Sequence, residues 1–186
     1  MKKRFFSFVA VTMVVMFLSA GSVFAADDAK NFISNKVGVG YQGMVVGSFL
    51  NGISVRGWIG DRIGLEGSGF YGKADVKEDD YKMLDADLWT IEAKAMYAII
   101  VRSYSKFYAG AKIGYGQINA TYGSDRIDNK GFWTPGAFIG AEWSFPQLPE
   151  VGFNFDVGYS GIIYDNDNIE INLHGINATF GVHYYF

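Results

Sequence analysis

The sequence ends on the stretch ATFGVHYYF, residues 178–186, in which apolar and aromatic side chains alternate with smaller or polar ones. Counted back from the terminus, one face carries Phe186, Tyr184, Val182, Phe180 and Ala178. A period of two residues is typical of a β-strand with one apolar face. Because chain ends fray unless they are tied down, we predict that this strand pairs within a sheet. Its apolar face is expected to contact apolar surroundings.

The other end of the chain has the layout of a secretory signal peptide. A basic start at Lys2, Lys3 and Arg4 precedes an apolar run over 5–18 and small residues up to Ala25. An uncleaved membrane anchor is the alternative, but the run is shorter than the roughly 20 residues that span a bilayer. We predict a signal peptide over 1–25, a short polar periplasmic leader over 26–35 and one domain over 36–186.

Composition narrows the class of protein. The chain has no cysteine, which excludes disulfides and thiolate sites, and its formal net charge of −3 disfavours a nucleic-acid partner. With 24 glycines, 3 prolines and 17% aromatic residues, it favours strands joined by turns over helices.

The period of two residues continues through almost the whole domain. It predicts eight strands, over residues 36–46, 52–60, 62–74, 86–100, 106–121, 131–145, 151–164 and 169–186. Short connections (60–62, 102–105 and 146–150) alternate with connections that are polar and mostly longer (75–85, 123–130 and 165–168). Short turns at one end and longer loops at the other are typical of an up-and-down outer-membrane barrel. Pro135 lies inside the sixth predicted strand and is expected to mark a bulge or the effective start of that strand.

The polar face of these strands is rich in glycine, whereas a soluble sandwich would present Lys, Glu, Asp and Gln there. Glycine weakens a strand unless close packing requires it, and an eight-stranded barrel is only just wide enough for its side chains. We therefore predict an all-β fold: an eight-stranded antiparallel up-and-down transmembrane β-barrel, with its apolar face outward and the last strand closing on the first. A soluble barrel or sandwich is the alternative.

Aromatic residues are predicted at both ends of the outward face, and the middle of that face carries no charged residue. Such bands are typical of the two interfaces of a membrane. The predicted interface aromatics are Tyr71, Trp89 and Trp133 at the loop end and Tyr97, Phe107, Trp143, Phe145 and Tyr184 at the turn end.

The terminal spacing of Phe180, Val182, Tyr184 and Phe186 resembles the C-terminal assembly signature of Gram-negative outer-membrane proteins. Together with the signal peptide and the eight strands, it makes the mature chain similar to the small OmpX/OmpA-type barrels, although no extended motif points to one member. The resemblance implies location in the cell outer membrane, recognition by the barrel-assembly machinery, contact with outer-membrane lipid and lipopolysaccharide, and a monomeric state.

Seven charged side chains are predicted to point inward as one belt. Unpaired charges would be costly in so narrow an interior, so these groups should pair. The favoured interpretation is a plugged lumen with a structural or surface-interaction role; a narrow channel for ions or small solutes, and acid/base chemistry, are the alternatives. The predicted belt is Arg56, Glu66, Glu92, Lys94, Lys112, Glu142 and Asp156.

The remaining polar groups give weaker signals, and we predict no enzyme, cofactor or metal site. His183 is expected to fill the lumen as a hydrogen-bonded group. His174, on the outward face, raises lipid A modification as an alternative, but the sequence HGIN (174–177) offers no serine partner. The acidic loop over 75–87 is expected to be solvated, with divalent-cation binding as the alternative; the stretch 165–170 lacks the glycine of a calcium loop. No loop identifies its partner.

Overall fold

The computed structural model describes the backbone of residues 31–45, 49–78, 81–122, 125–166 and 169–186. The predicted signal peptide and residues 26–30 of the leader lie outside these ranges. Among the described residues, none belongs to a helix long and apolar enough to cross a membrane.

Nine strands occur in the described residues, and every pairing between them is antiparallel. They are β1 (Val37–Val45), β2 (Phe49–Ile59), β3 (Ile63–Glu78), β4 (Tyr81–Arg102), β5 (Ser105–Tyr122), β6 (Asp125–Trp133), β7 (Gly136–Phe145), β8 (Leu148–Asn166) and β9 (Ile169–Tyr185).

The sheet closes on itself as a ring of eight positions. Strand β9 pairs with both β8 and β1, and β4 pairs with both β3 and β5. Strands β6 and β7 share one position, because each pairs with β5 on one side and with β8 on the other. The predicted closed up-and-down barrel, with the C-terminal strand beside the first, is confirmed.

Pro135 explains why one position holds two strands. Proline has no N–H to donate to a ladder, so the strand is interrupted at Thr134 and Pro135. The backbones of Thr134 and Gly114 still exchange two hydrogen bonds, of 2.9 and 3.2 Å. The barrel wall therefore stays closed through the interruption.

Three hairpins extend further than the sequence predicts. The predicted loop over 75–85 is wrong, because β3 continues to Glu78 and β4 begins at Tyr81. Within the predicted loop over 123–130, residues 125–130 belong to β6, and within that over 165–168, residues 165 and 166 belong to β8. Polar composition alone does not distinguish a loop from a paired strand that lies in water. We call this the hairpin end of the barrel and the opposite end the turn end.

The two faces of each strand differ sharply in exposure. Along β2, Ser54, Arg56 and Trp58 are at most 2% exposed, whereas Ile53 and Val55 are 73% and 51% exposed. Side chains alternate across a strand, so the first set fills the lumen and the second forms the outer wall. The predicted inward and outward faces are confirmed.

Inward glycines make room for large side chains. A Cβ at Gly140 would lie 2.3 Å from Asp156 Oδ1 and 2.6 Å from Tyr108 Cε2. At Gly40 it would lie 2.0 Å from the carbonyl oxygen of Val182. Only glycine fits such approaches without displacing the neighbour.

Apolar clusters occupy the lumen on both sides of the charged residues. The lower cluster lies at the turn end and consists of Ile33, Trp58, Met96, Ala98, Tyr108, Phe138 and Tyr185. The upper cluster lies toward the hairpin end and consists of Met44, Leu50 and Phe70. Because Ile33 belongs to the lower cluster, the last residues of the predicted leader pack inside the barrel mouth instead of lying apart from it.

Candidate functional site

The centre of the lumen is built around Arg56. Its neighbour across the β2–β3 ladder is Glu66, whose Oε2 accepts a 2.5 Å hydrogen bond from Arg56 Nε. From the far side of the barrel, Glu142 Oε2 lies 3.3 Å from Nη1 and Asp156 Oδ2 lies 3.8 Å from Nη2. One buried guanidinium therefore joins carboxylates from three different strands.

Lys94 makes the second cross-link. Its Nζ lies 2.9 Å from Asp156 Oδ2, 3.0 Å from Glu66 Oε1 and 3.8 Å from Glu92 Oε1. Lys112 completes the set at 2.9 Å from Glu92 Oε2. The structure thus brings all seven of the sequence-predicted inward charges into one connected network, which we call the charge belt.

Neutral donors complete the coordination of the carboxylates. Trp58 Nε1 donates to Glu142 Oε2 at 2.8 Å, and the Tyr185 hydroxyl donates to the other oxygen of the same carboxylate. The Tyr108 hydroxyl donates to Asp156 Oδ1 at 2.6 Å. The sequence interpretation missed these partners, because an inward Trp or Tyr reads as apolar filling although each has one polar atom.

Lys106 is a further inward charge that the sequence interpretation missed. It is fully buried, and its Nζ donates to Ser34 Oγ at 3.2 Å and to the backbone oxygen of Asp61 at 3.0 Å. The ammonium also lies 4.2 Å from the centroid of the Trp58 ring. Within the described part of the chain, no carboxylate oxygen lies within 4.0 Å of it. With Lys106, the charged side chains that point inward among the described residues are four bases and four acids.

Three buried polar atoms on the hairpin-end side of the belt have no hydrogen-bond partner among the described residues. They are Gln42 Oε1, Ser68 Oγ and Glu92 Oε1. Ser68 and Glu92 are direct neighbours across the β3–β4 ladder. Buried polar atoms without a protein partner are commonly satisfied by water.

The two histidines lie on opposite faces. His183 is fully buried, with Nε2 2.6 Å from Ser54 Oγ. His174 lies on the outer face and stacks on Tyr159, with 6.1 Å between ring centroids. Its neighbour across the β8–β9 ladder is Gly161.

Aromatic residues form a group on the outer wall near each end. Toward the hairpin end, Tyr115 lies 6.0 Å from Trp89 and 5.2 Å from Trp133 between ring centroids. Toward the turn end, the ring of Phe153 lies 6.2 Å from that of Trp143 and 5.6 Å from that of Phe145. The other predicted interface aromatics also lie on strands at these two ends: Tyr71 opposite Trp89, and Tyr97, Phe107 and Tyr184 near the turns.

No group of three His, Asp or Glu side chains placed to hold a metal ion occurs in the part of the chain that the structure describes. The acidic side chains over 75–85 and those over 165–170 lie outside that part.

Comparisons with known proteins identify the fold. No protein-family model matches the chain, and no curated protein matches its sequence. Among solved structures, the chain is similar to Neisserial surface protein A (NspA), with a TM-score of 0.54 and 19% identity over 81% of this chain and 95% of that one. The N-terminal β-barrel domain of Pseudomonas aeruginosa OprF gives a TM-score of 0.53 and 16% identity over 82% and 98%.

A major outer membrane protein from Thermus thermophilus gives a TM-score of 0.52 and 12% identity, over 81% of this chain and 98% of that one. At these identities the similarity concerns the fold alone. The chain therefore has the fold of the small outer-membrane β-barrels, as the terminal signature and strand pattern predict.

Proposed function

We propose that this chain is an integral outer-membrane β-barrel protein with a closed lumen, whose role is structural or is exerted through its surface hairpins. The observation that carries the proposal is the inverted distribution of polarity: a wall of exposed apolar side chains surrounds a buried network of charges. Such a wall is compatible with hydrocarbon as its surroundings.

The outer wall supports a membrane location. Among the residues that the structure describes, twenty-eight large apolar side chains are exposed, including Ile176 at 79% and Ile91 at 58%. Soluble monomers rarely expose contiguous apolar patches larger than a few hundred Å². The bands of aromatic rings at both ends of the wall fit two membrane interfaces. Contact with outer-membrane lipid and lipopolysaccharide follows from the same surface.

The C-terminal strand supports recognition by the barrel-assembly machinery. Its alternate residues Phe180, Val182, Tyr184 and Phe186 are all on the outer face and are 40–70% exposed. The assembly machinery could therefore bind these four side chains as one apolar row without contacting the residues of the lumen. Since the sheet closes into a ring through the pairing of β9 with β1, we propose that the folded protein is a monomer.

The packing of the lumen supports a closed interior. The charge belt lies between the lower and upper apolar clusters, and its bases and acids are held by partners on opposite strands. An ion crossing this interior would have to displace these pairs and pass two apolar layers. We propose that the belt fixes strand register and blocks passage.

A membrane-partition experiment tests the location. The mature chain should refold only with detergent micelles or lipid vesicles and should float with vesicles in a density gradient, because its wall requires an apolar phase. A monodisperse protein in detergent-free buffer that ignores vesicles would refute the membrane assignment.

Conductance across a planar bilayer tests the closed lumen. We expect the refolded protein to be electrically silent, and Lys73→Met, at the exposed hairpin end, to be silent too. The unpartnered oxygens of Gln42, Ser68 and Glu92 favour a narrow channel as the second candidate. Steady openings whose conductance changes in Glu92→Gln or Lys94→Met would establish that candidate and overturn the plug.

A further inference from the structure

We infer that residues 31–36 form an inner lid that closes the turn end of the lumen and can open without disturbing the charge belt. We call this segment the N-terminal lid. It lies outside the nine strands and precedes β1 directly. The inference goes beyond the proposed closed lumen, because it assigns the barrier at the turn end to a segment that can move independently of the strands.

One end of the lid is attached to the turn between β4 and β5. The backbone N–H of Phe32 donates to the carbonyl of Ser103 at 3.1 Å. The side-chain amide of Asn31 donates to the carbonyls of Arg102 at 2.5 Å and Ser105 at 3.4 Å. These contacts satisfy carbonyls that a turn otherwise leaves to water.

The other end of the lid reaches the turn between β2 and β3. Asn35 accepts a 2.7 Å hydrogen bond from the backbone N–H of Gly60, and the Ser34 hydroxyl is hydrogen-bonded to the Asp61 carboxylate. Asn35 adopts a positive φ of 60°, which turns the chain back toward β1. The lid therefore bridges two separate turns across the mouth of the barrel.

The underside of the lid fills the lumen. Ile33 is 4% exposed and belongs to the lower apolar cluster with Trp58, Met96 and Ala98. Beside it, Ser34 Oγ accepts from the buried ammonium of Lys106. Since no carboxylate lies within 4.0 Å of Lys106 in the described residues, the lid supplies part of the oxygen environment that keeps this charge inside.

The lid can leave without unpairing a strand. Its internal hydrogen bond from Ser34 N to Asn31 O at 3.1 Å moves with it, whereas the bond from Lys36 N to Ile33 O at 3.3 Å lies at the hinge. Lys36 remains held, because its carbonyl accepts from Trp58 N at 3.1 Å. An opening about this hinge would expose the lower cluster and Lys106 while leaving the belt in place.

Thiol accessibility tests the inference, because the chain has no natural cysteine. Ala98→Cys places a thiol under the lid, at a fully buried position. Ser68→Cys places one beyond the belt and is the matched control. Each is combined with Ile33→Asp, which puts a charge into the lower cluster, and each refolded protein is treated with a polyethylene glycol maleimide.

We expect Ile33→Asp to speed modification of Ala98→Cys by about tenfold or more, since only local opening is needed, and to leave Ser68→Cys unchanged. Equal acceleration at both positions would show general loosening, and no acceleration at Ala98→Cys would show that the segment does not cover it; either result overturns the inference.

A second measurement keeps the test valid if Ile33→Asp does not assemble. In the otherwise unchanged chain, Ile33→Cys should react about tenfold more slowly than Gln147→Cys in the exposed β7–β8 turn, because opening must precede reaction at the lid. The two rates should become equal in denaturant. Equal rates in the folded barrel would exclude a docked lid.

Discussion

The inner and outer faces of the same strands have opposite polarity: polar and charged side chains are buried, and apolar side chains are exposed. Along β2, Ser54 and Arg56 are buried while Ile53 and Val55 between them are exposed. A soluble β protein would show the reverse, with its charges outside. The difference teaches that alternation identifies a strand, whereas the face that holds glycine and paired charges identifies the interior.

Glycine shows the same contrast at single positions. A Cβ at inward Gly140 would meet Asp156 and Tyr108, whereas a Cβ at outward Gly67 would meet nothing within 4 Å. The inner face is therefore limited by space and by charge pairing, and the outer face by its apolar surroundings. Four pairs of substitutions test this contrast, from the largest expected effect to the smallest.

Breaking the belt at its centre should have the largest effect. Arg56→Met leaves Glu66, Glu142 and Asp156 without their shared cation, and removing one partner of a buried ionic network typically costs about 3–5 kcal/mol. Urea unfolding in detergent micelles measures the loss. Arg102→Met, at an exposed arginine, should stay within about 0.5 kcal/mol. Equal effects would show that the belt does not stabilise the barrel.

Charging the outer wall should come next. Ile139 lies on β7 between the aromatic groups at the two ends, and Ile139→Lys should cost about 2–4 kcal/mol in lipid because the ammonium enters hydrocarbon. Ile163→Lys, at the level of Trp133, should cost only about 0–1 kcal/mol. Unfolding of vesicle-inserted protein gives both values. No dependence on depth would contradict a lipid-facing wall.

Removing one inner hydroxyl should have an intermediate effect. Tyr108→Phe deletes the donor to Asp156 and the acceptor of a 3.0 Å hydrogen bond from Arg56, which should cost about 1.5–3 kcal/mol because both partners are charged. On the outer face, Tyr71→Phe removes an exposed 3.1 Å hydrogen bond to Asp87 and should change the unfolding free energy by less than about 0.5 kcal/mol. A larger loss of unfolding free energy in Tyr71→Phe than in Tyr108→Phe would contradict the greater contribution of the inner hydroxyl.

Adding one methyl group should separate the two faces most finely. Gly140→Ala should destabilise by about 1–3 kcal/mol through overpacking. Gly67→Ala should stabilise by about 0.4–1 kcal/mol, because the space is open, its φ is not positive and alanine restricts the unfolded chain. Shifts of the urea midpoint at constant slope measure both. The same sign at both positions would contradict the assignment of faces.

Much of this architecture could be predicted because period-two alternation is nearly unbroken. It assigned Arg56, Glu66 and Lys94 to the inner face, and their strands place them together. Their distances could not be predicted, since they depend on the stagger of strands around the ring. The alternation also places Trp58, Tyr108 and Tyr185 on the inner face. Because these side chains are uncharged, their role as hydrogen-bond donors to the belt carboxylates was not predicted.

Two features escaped sequence reasoning for different reasons. Lys106 shares the inward register of Tyr108 and Lys112, but it is the first residue of the fifth predicted strand, directly after a predicted turn at 102–105, where a charged side chain is expected to reach water. The N-terminal lid has no period at all, because its six residues bridge turns that are distant in sequence. Only the closed barrel brings those two turns close enough together for the lid to contact both.

The length of β4 has a consequence for what lies outside the bilayer. Its 22 residues extend about 70 Å at roughly 3.3 Å each, whereas a strand tilted by about 40° needs only about 33 Å to cross a band about 25 Å tall. Roughly half of the strand is therefore surplus to crossing and, paired with β3 and β5, continues the sheet beyond the band. A contact made at the far end of this hairpin would lie up to about 28 Å beyond the edge of the band, because the surplus of about 37 Å is tilted by the same angle.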